Sequence, residues 1–284
     1  MIRNNILHGL SEQTYHSEDS AIFGDTPHLT ASTAKTLILQ SPLHAHMYHP
    51  KLGGQHKAPS SDMDMGTLCH LLLLGVGGEL AVIECSDWRK PANRELRDAF
   101  RNEGKLAVSR AMFDEAMAAS LVLGQKLADR GFPLKGRSEV SIKWTETASD
   151  GTVVPCRARF DHLDGAEILD LKITESANPD FLEKQIVRMG YDIQRAAYER
   201  GLAQVAPEYQ GRSRFTLIFC EREPPYCITP MRMAGSLRQL GDMKWQRAVN
   251  RWAQCLNTNQ WPEYTTDVVF AEAKPWDLDA EAVA

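Results

Sequence analysis

The chain has 284 residues, and its hydrophobic fraction of 43% and aromatic fraction of 8% are ordinary for a globular protein. A chain of this length forms one large domain or a domain with an appended lobe. Its net charge of −5 excludes a general electrostatic attraction to nucleic acid, so any contact with DNA must be local.

The sequence carries no sign of a membrane span or of an export signal. The apolar run at residues 71–74 is far too short to cross a bilayer. The first residues lack the longer apolar core of a secretory signal. We therefore expect a cytoplasmic protein without membrane contacts.

The first half of the chain predicts helices separated by polar loops. Residues 1–28 are polar and irregular and predict a flexible N-terminal arm. A helix start is indicated at Thr30 or Ser32, and Ser41 before Pro42 is typical of another helix start. The pattern then predicts a loop over 51–62, a helix over 63–74 that stops at glycines, a charged surface loop or lid over 86–104, and a helix over 113–128.

The second half predicts strands first and then helices that alternate with strands. Strands are expected over 139–144, 152–163, 215–220 and 226–230, and helices over 180–203 and 236–256. This order indicates an α/β or α+β protein in which helices flank a mixed central sheet. We expect one domain over 29–265, followed by a C-terminal tail over 266–284.

Residues 159–172 contain the most informative pattern, two apolar strands joined at Asp164-Gly165. A loop centred there pairs Asp161 with Ile168 and places Asp170 and Lys172 on the face that carries Asp161. The two acids would lie roughly 7–8 Å apart as diagonal neighbours, so their carboxylates could share one ion. Two acids and an ammonium suit metal-assisted phosphodiester hydrolysis. The alternative is an ordinary hairpin with a surface salt bridge.

Cysteine and histidine spacing excludes other metal sites. The six cysteines form no C-x-x-C pair, which argues against a zinc ribbon and an iron–sulfur cluster and favours reduced, mostly buried thiols. His44, His46 and His49 have no acids near them at helical spacing, so they are interpreted as surface residues.

The chain carries, in order, the motifs Gly66-x-x-x-His70, Asp161, Asp170-x-Lys172 and Gln194-x-x-x-Tyr198, with a 29–35 segment before Ser41-Pro42 and a strand that begins at Glu139. Together these motifs resemble the PD-(D/E)xK nuclease superfamily, in its RecB-like and lambda-exonuclease-like branch. Asp-x-Lys alone is nonspecific, but the order of the motifs is specific. The resemblance covers about residues 14–265 and is closest to the RecE-like (exodeoxyribonuclease VIII) nuclease domains of phages.

The resemblance implies a restriction-endonuclease-like core and a metal site. Asp161 and Asp170 are expected to hold one or two Mg²⁺ or Mn²⁺ ions, with His70 and the backbone carbonyl of Leu171 as further ligands. Glu139 would support a second metal ion through water. Lys172 would position the attacking water or stabilise charge in the transition state. Without the motif order, His70 would be interpreted as a core histidine and Glu139 as an exposed strand residue.

The resemblance also assigns a DNA-binding face. Gln194 and Tyr198 share one side of a helix, with Tyr191 one turn earlier, and this side is expected to hold the DNA strand. Packing is the alternative role for both tyrosines. Lambda-type exonucleases bind the 5′-phosphate with an arginine, but no arginine lies between Arg3 and Arg89 here. Lys35 is the nearest substitute.

The implied function is 5′→3′ digestion of linear double-stranded DNA, which leaves 3′ single-stranded tails for recombination in a bacterial or phage-infected cell. The implied partners are DNA ends, further copies of the chain in a trimeric or tetrameric ring, and a single-strand annealing protein. Trp245 and Trp252 are candidates for the ring interface, although packing onto the sheet is the simpler role. The alternatives are a structure-specific or single-strand-directed nuclease of the same superfamily and a catalytically silent DNA-binding or assembly protein.

Overall fold

The computed structural model describes residues 5–55 and 61–273. Its strands are β1 (Ile6–Leu7), β2 (Leu80–Ile83), β3 (Leu106–Ser109), β4 (Arg137–Thr147), β5 (Val153–Asp164), β6 (Glu167–Thr174), β7 (Arg214–Glu221) and β8 (Ile228–Met231). A six-stranded sheet has the order β1-β4-β5-β6-β7-β8, and only its β6–β7 pair is parallel.

Helices cover both faces of this sheet. They are α1 (Glu12–Ser17), α2 (Ser20–Phe23), α3 (Ala31–Leu39), α4 (Pro42–Tyr48), α5 (Ser61–Leu74), α6 (Pro91–Asn102), α7 (Arg110–Asp129), α8 (Pro179–Arg188), α9 (Tyr191–Val205) and α10 (Gly235–Thr258). The larger core joins one sheet face to α3, α8, α9 and α10, and a smaller core joins the other face to α5 and α7. The predicted mixed sheet flanked by helices is confirmed. No helix in the described part of the chain is long and apolar enough to span a membrane.

The prediction of a flexible arm is wrong for the residues that the structure describes before residue 28. Strand β1 extends the sheet by pairing Ile6 with Ile142, and the rings of Tyr15 and Phe23 are buried. The guanidinium carbon of Arg157 lies 4.5 Å from the Tyr15 ring centroid and 5.3 Å from that of Phe23. The polar segment therefore folds because a distant strand supplies its partners.

A buried ion cluster fixes the end of α1. Glu18 is 1% exposed, and its carboxylate accepts hydrogen bonds from the backbone N–H of His28 at 2.5 Å and from Arg157 at 3.3 Å. His49 Nε2 lies 3.2 Å from Oε2 of the same carboxylate. His49 was interpreted as a surface residue because no acid lies near it at helical spacing, and this interpretation was wrong. Its acidic partner is Glu18, which lies too far away in the sequence for local spacing to indicate it.

Residues 86–104, predicted as a loop or lid, contain α6. The helix begins with Pro91 in its first turn, a position that proline favours. Phe100 of α6 and Trp88 before it pack on Ala81 and Ala107 of a separate parallel pair, β2 and β3, which the sequence analysis did not predict. The sequence pattern did not predict α6, because many of its side chains are charged and few are apolar.

The single helix predicted over 180–203 is two helices, α8 and α9. Gly190 separates them with φ +66°, a conformation that favours glycine. A Cβ at this position would lie 2.9 Å from Cγ of Lys35. The break therefore lets α3 approach α9 closely.

The hairpin between β5 and β6 turns at Gly165 and Ala166, so the predicted pairing of Asp161 with Ile168 was wrong by two residues. Ile168 pairs with Leu163 instead. The ladder runs from Asp164↔Glu167 to His162↔Leu169, and the N–H of Leu171 then donates to Asp161 Oδ2 at 2.8 Å. A side-chain carboxylate thus replaces a strand carbonyl where β5 and β6 separate.

Two further expectations concern the C-terminal part. Trp245 and Trp252 of α10 are both fully buried, so they pack inside the chain and offer no contact surface for a ring. Residues 266–273 of the predicted tail form no helix or strand, and residues 274–284 lie outside the described residues.

Residues 56–60 of the predicted 51–62 loop also lie outside the described residues.

Candidate active site

The opening between β5 and β6 lies in a cleft of about 570 Å³. Asp161 of β5 and His70 of α5 meet there, with His70 Nε2 2.9 Å from Asp161 Oδ2. The other ring nitrogen of His70 lies 3.5 Å from Oε1 of Glu139, a β4 residue in the left-handed region at φ +55°. Three elements therefore bring together an imidazole and two carboxylates that lie far apart in the sequence.

Asp161 is held as a carboxylate. Burial alone would raise its pKa, but the hydrogen bond and charge of His70, the charge of Lys172 and the N–H of Leu171 together lower the pKa. The pKa of His70 is correspondingly raised, because Asp161 and Glu139 outweigh the effect of burial. The pair of His70 and Asp161 lies at the side of the cleft.

Asp170 has a different environment, although it lies on the adjacent strand. Its side chain is 1% exposed, and its Oδ1 accepts a hydrogen bond from Gln194 at 2.5 Å, while the ammonium of Lys172 lies against Oδ2. Burial and the negative charge of Asp161 raise the pKa of Asp170, and Lys172 offsets only part of that effect. The buried carboxylate of Asp170 and the half-buried carboxylate of Asp161 thus compete for positive charge.

Lys172 is a cation in this site. Burial would lower its pKa, but the charges of Asp170 and Asp161 outweigh burial and raise the pKa above its ordinary value. A lysine with a raised pKa does not act as a neutral base at physiological pH. The site therefore favours Lys172 as a source of positive charge over Lys172 as a proton acceptor.

Among the residues predicted to bind DNA, Gln194 contacts Asp170 and the others lie next to this pair. Gln194 accepts a hydrogen bond from Lys35 Nζ at 2.7 Å while it donates to Asp170. The Tyr191 ring lies near two lysines, with its centroid 4.9 Å from Lys35 Nζ and 5.3 Å from Lys172 Nζ. Burial first, and then the charge of Lys172, lowers the pKa of Lys35 to about 7. Lys35 is thus joined to Asp170 through Gln194.

Tyr198 both packs and lines the cleft. Its hydroxyl donates to the backbone carbonyl of Arg159 at 2.9 Å, and its ring centroid lies 4.9 Å from that of Phe160. The structure therefore brings together His70, Glu139, Asp161, Asp170, Lys172, Gln194 and Lys35, with Tyr191 and Tyr198 alongside.

Sequence reasoning missed the residues that close the cleft from the N-terminal side. Glu12, Tyr15 and His16 of α1 line it, as do Gly77 and Gly78 of the loop between α5 and β2. No motif signals α1. Arg159 lies two residues before Asp161 on the same strand, and its guanidinium pairs with Glu139.

The donor set fits a hard divalent cation. Two carboxylates and one imidazole suit Mg²⁺ or Mn²⁺, and a cation would relieve the repulsion that raises the pKa of Asp170. Within residues 5–55 and 61–273 no three His, Cys, Asp or Glu side chains already converge as a metal cluster. The donors are instead engaged in pairs, His70 with Asp161 and Lys172 with Asp170.

The mixed sheet, whose strands β5 and β6 separate beside Asp161, Asp170 and Lys172, is typical of a PD-(D/E)xK-like domain. Residues 35–272 match the family described as "PDDEXK-like domain of unknown function (DUF3799)", and the chain belongs to this family. The superfamily predicted from the motif order is thereby confirmed. The narrower resemblance to RecE-like domains stays a prediction.

One solved structure shares the fold over nearly the whole chain. It is described as a "Putative exonuclease" from Eubacterium rectale, with a TM-score of 0.62 and 14% identity over 96% of this chain and 99% of that chain. A structure described as SSO0001 gives a TM-score of 0.30 at 13% identity over 70% of this chain and 87% of that one, too low to indicate a common fold. No curated protein sequence matches the chain.

Proposed function

We propose that the protein is a Mg²⁺- or Mn²⁺-dependent nuclease that digests linear double-stranded DNA from its ends. The observation that carries the proposal is the pairing of buried Asp170 with half-buried Lys172 beside the Asp161–His70 pair at one cleft. Buried charges destabilise a fold unless they are paired with opposite charges. Clusters of carboxylates with shifted pKa values are therefore typical of functional sites.

The chain's own residues have separate tasks. Asp161, Asp170 and His70 would hold the metal ion, with the carbonyl of Leu171 as a proposed further ligand and Glu139 as a support for a second ion. The bound metal would act as a Lewis acid and lower the pKa of water. Lys172 would place positive charge beside the phosphate as negative charge develops there. Gln194 and Lys35 would hold Asp170 in place.

The choice of substrate rests on resemblance. RecE-like and lambda-type nucleases digest duplex ends in the 5′→3′ direction and leave 3′ tails for recombination, and the structural neighbour is also described as an exonuclease. We extend the same direction and product to this chain. Lys35 is the proposed substitute for the 5′-phosphate arginine, because its Nζ donates only one hydrogen bond to Gln194 and an ammonium has two further N–H groups for a phosphate.

Assembly is part of the proposal. A chain with a net charge of −5 gains little from its own overall field, whereas a closed trimer or tetramer would gather basic patches around one DNA. A single-strand annealing protein would then take up the 3′ tails.

The test is digestion of end-labelled linear duplex DNA compared with a covalently closed circle of the same sequence, in Mg²⁺. We expect the linear DNA to be degraded and the circle to persist, with Asp170→Asn protein inactive on both. Cleavage of the circle would favour the structure-specific alternative, and cleavage of single-stranded DNA only would favour the single-strand-directed alternative. Absence of any cleavage by the wild-type protein would overturn the nuclease assignment.

A further inference from the structure

Residues 267–272 contain an apolar run that the fold leaves in solvent. Val268, Val269 and Phe270 are 83%, 73% and 86% exposed. Single apolar side chains are common on protein surfaces, but three exposed in succession indicate an interaction site or an aggregation hazard. The segment that contains them forms no helix or strand. We call residues 267–272 the tail segment.

The tail segment belongs to an acidic part of the chain. Residues 263–284 contain six acidic side chains and one lysine, so they carry a charge of −5, which equals the net charge of the whole chain. Residues 1–262 are therefore neutral overall. Asp267 and Glu272 flank the apolar run. A surface that covers the tail segment must combine apolar contacts with positive charge.

The chain is fixed just before the tail segment. The carbonyl of Pro262 accepts a hydrogen bond from the N–H of Leu43 at 3.2 Å. Helix α10, which leads into this region, is tied to the turn between β4 and β5, where Asn257 donates to Oγ1 of Thr152 at 3.0 Å. The tail segment therefore leaves the protein from a fixed point.

A groove of about 840 Å³ lies at the end of the β4–β5 hairpin that is remote from this turn. The start of β4, the end of β5 and the last turn of α9 line it, and it shares no lining residue with the active-site cleft. Strand β4 has 11 residues, so the groove lies roughly 35 Å from the turn at about 3.3 Å per residue. The tail segment does not line this groove in its own chain. We call it the Arg137 groove.

Much of the Arg137 groove is apolar. Leu202 and Val205 of α9, which line it, are buried, and Leu163 of β5 is half-buried. Its volume falls within the range of about 300–1,000 Å³ that is typical of pockets for small ligands. A pocket of this kind suits a short apolar run of a peptide.

The groove also contains charged side chains. Lys135 and Arg137 are exposed, and among the ion pairs between described residues none includes either of them. Asp164 and Glu208 line the groove as well. The acids of a bound segment must therefore face Lys135 and Arg137, so the charges of the groove fix the orientation of the segment.

We propose that the tail segment of one copy of the chain docks in the Arg137 groove of a second copy. The apolar side chains of the tail segment cover the apolar part of the groove, and its two flanking acids face Lys135 and Arg137. Each copy offers one tail segment and one groove, so the contact joins copies head to tail and repeats until a ring closes. The proposal rests on the assembly in the proposed function and names its contact.

The experiment breaks each half of the contact separately. The tail variant carries Val269→Ser and Phe270→Ser, and the groove variant carries Lys135→Glu and Arg137→Glu. All four side chains are exposed, so neither variant removes a buried group. Should the groove variant lose its circular dichroism spectrum, Lys135→Glu alone, at a position before β4, replaces it.

The controls are matched to the two variants. Leu121→Ser removes an apolar side chain that is 70% exposed on α7, and Lys184→Glu reverses an exposed charge on α8. Sedimentation velocity of the full chain gives the mass of each protein and of a 1:1 mixture of the tail and groove variants.

We expect the wild type and both controls to sediment as one closed oligomer and each variant to sediment as a monomer. The 1:1 mixture should form a dimer and nothing larger. The reason is that only one contact remains intact, between the tail segment of the groove variant and the groove of the tail variant.

A wild-type mass in either variant would overturn the proposal. A mixture that stays monomeric would overturn it as well, because the two variants would then not break one shared contact. A monomeric wild type would exclude a second copy as the occupant and leave the groove to the chain's own tail segment or to another protein. The nuclease function is decided separately: a wild type inactive on linear duplex DNA in Mg²⁺ would defeat that function, whereas the masses alone decide the contact.

Discussion

Gln194 connects Asp170 to Lys35: its amide nitrogen lies 2.5 Å from Asp170 Oδ1, and its amide oxygen lies 2.7 Å from Lys35 Nζ. A buried carboxylate of the active site is thus oriented by a helix on one side and supported by a lysine from a third element. Partners of this kind orient metal ligands and commonly affect metal affinity or activity by about 10–100-fold.

Gln194→Ala should therefore lower the affinity for Mg²⁺ more than it lowers the stability of the fold. We expect the Mg²⁺ concentration for half-maximal cleavage to rise by about 10–100-fold, with a smaller effect on the melting temperature. Gln204→Ala, on the exposed side of the same helix, is the matched control. An unchanged Mg²⁺ dependence in the Gln194→Ala protein would show that the amide does not position Asp170.

Removal of any member of the charged set should abolish cleavage. Asp161→Asn, Asp170→Asn and Lys172→Ala should each lower the rate by several orders of magnitude, since the ion and the charge beside the phosphate supply most of the catalysis. Circular dichroism would show that the fold persists. Asp180→Asn, an exposed acid at the start of α8, should cleave normally. Near-normal activity of the Asp170→Asn protein would contradict the site.

Metal replacement should separate binding from cleavage. Mg²⁺ and Mn²⁺ should both support digestion, EDTA should stop it, and Ca²⁺ should support DNA binding with little cleavage, because the donors are oxygens and one imidazole. Elemental analysis would give the complementary result. Stoichiometric zinc or iron on which activity depends would rule out this metal assignment.

Glu18 should make stability depend on pH. Burial alone would raise its pKa, but the hydrogen bond from His28 and the charges of Arg157 and His49 lower it below its ordinary value. A carboxyl with a lowered folded-state pKa contributes stability that is present above its unfolded pKa and is lost as pH falls through the folded pKa. Lys51, with Nζ 4.0 Å from the carboxylate, also favours the charged form.

Glu18→Gln should cost about 3–5 kcal/mol of unfolding free energy at neutral pH, because Arg157 loses its buried partner. Urea titrations should show the difference from wild type shrinking as the pH falls below the ordinary glutamate range. The exposed Glu183→Gln serves as a control. A difference that stays constant down to acid pH would indicate that Glu18 is not charged in the folded protein.

Light scattering tests the proposed assembly. We expect the mass of a trimer or tetramer, and product lengths that do not change when trap DNA is added after digestion begins, since several subunits hold one DNA together. A strictly monomeric protein that releases DNA after each cut would contradict a ring and favour a simpler nuclease.

The central hairpin shows how much of the site the sequence could predict. The predicted partner of Asp161 was wrong by two residues, but an even shift leaves every side chain on its original face. The grouping of Asp161 with Asp170 and Lys172 therefore did not depend on the turn. His70 and Gln194 were found only through motif order, because no local pattern brings α5 to Asp161 of β5 or α9 to Asp170 of β6.

Other features lay beyond local pattern. The N-terminal segment appeared unstructured because its partners, Arg157 and Arg159, lie far along the chain. The break at Gly190 was missed because one glycine inside a helical pattern costs only about 1 kcal/mol and is commonly tolerated. In both cases the deciding contact is tertiary.

Strand β5 holds α1 through Arg157 and Arg159 and supplies Asp161 to the site. The Arg157–Tyr15 hydrogen bond joins residues 142 positions apart, and such long-range contacts form slowly because a large loop must close first. During synthesis, α1 emerges early but has nothing to dock against until β5 has been made. A growing chain therefore has no finished cleft until β5 has been made.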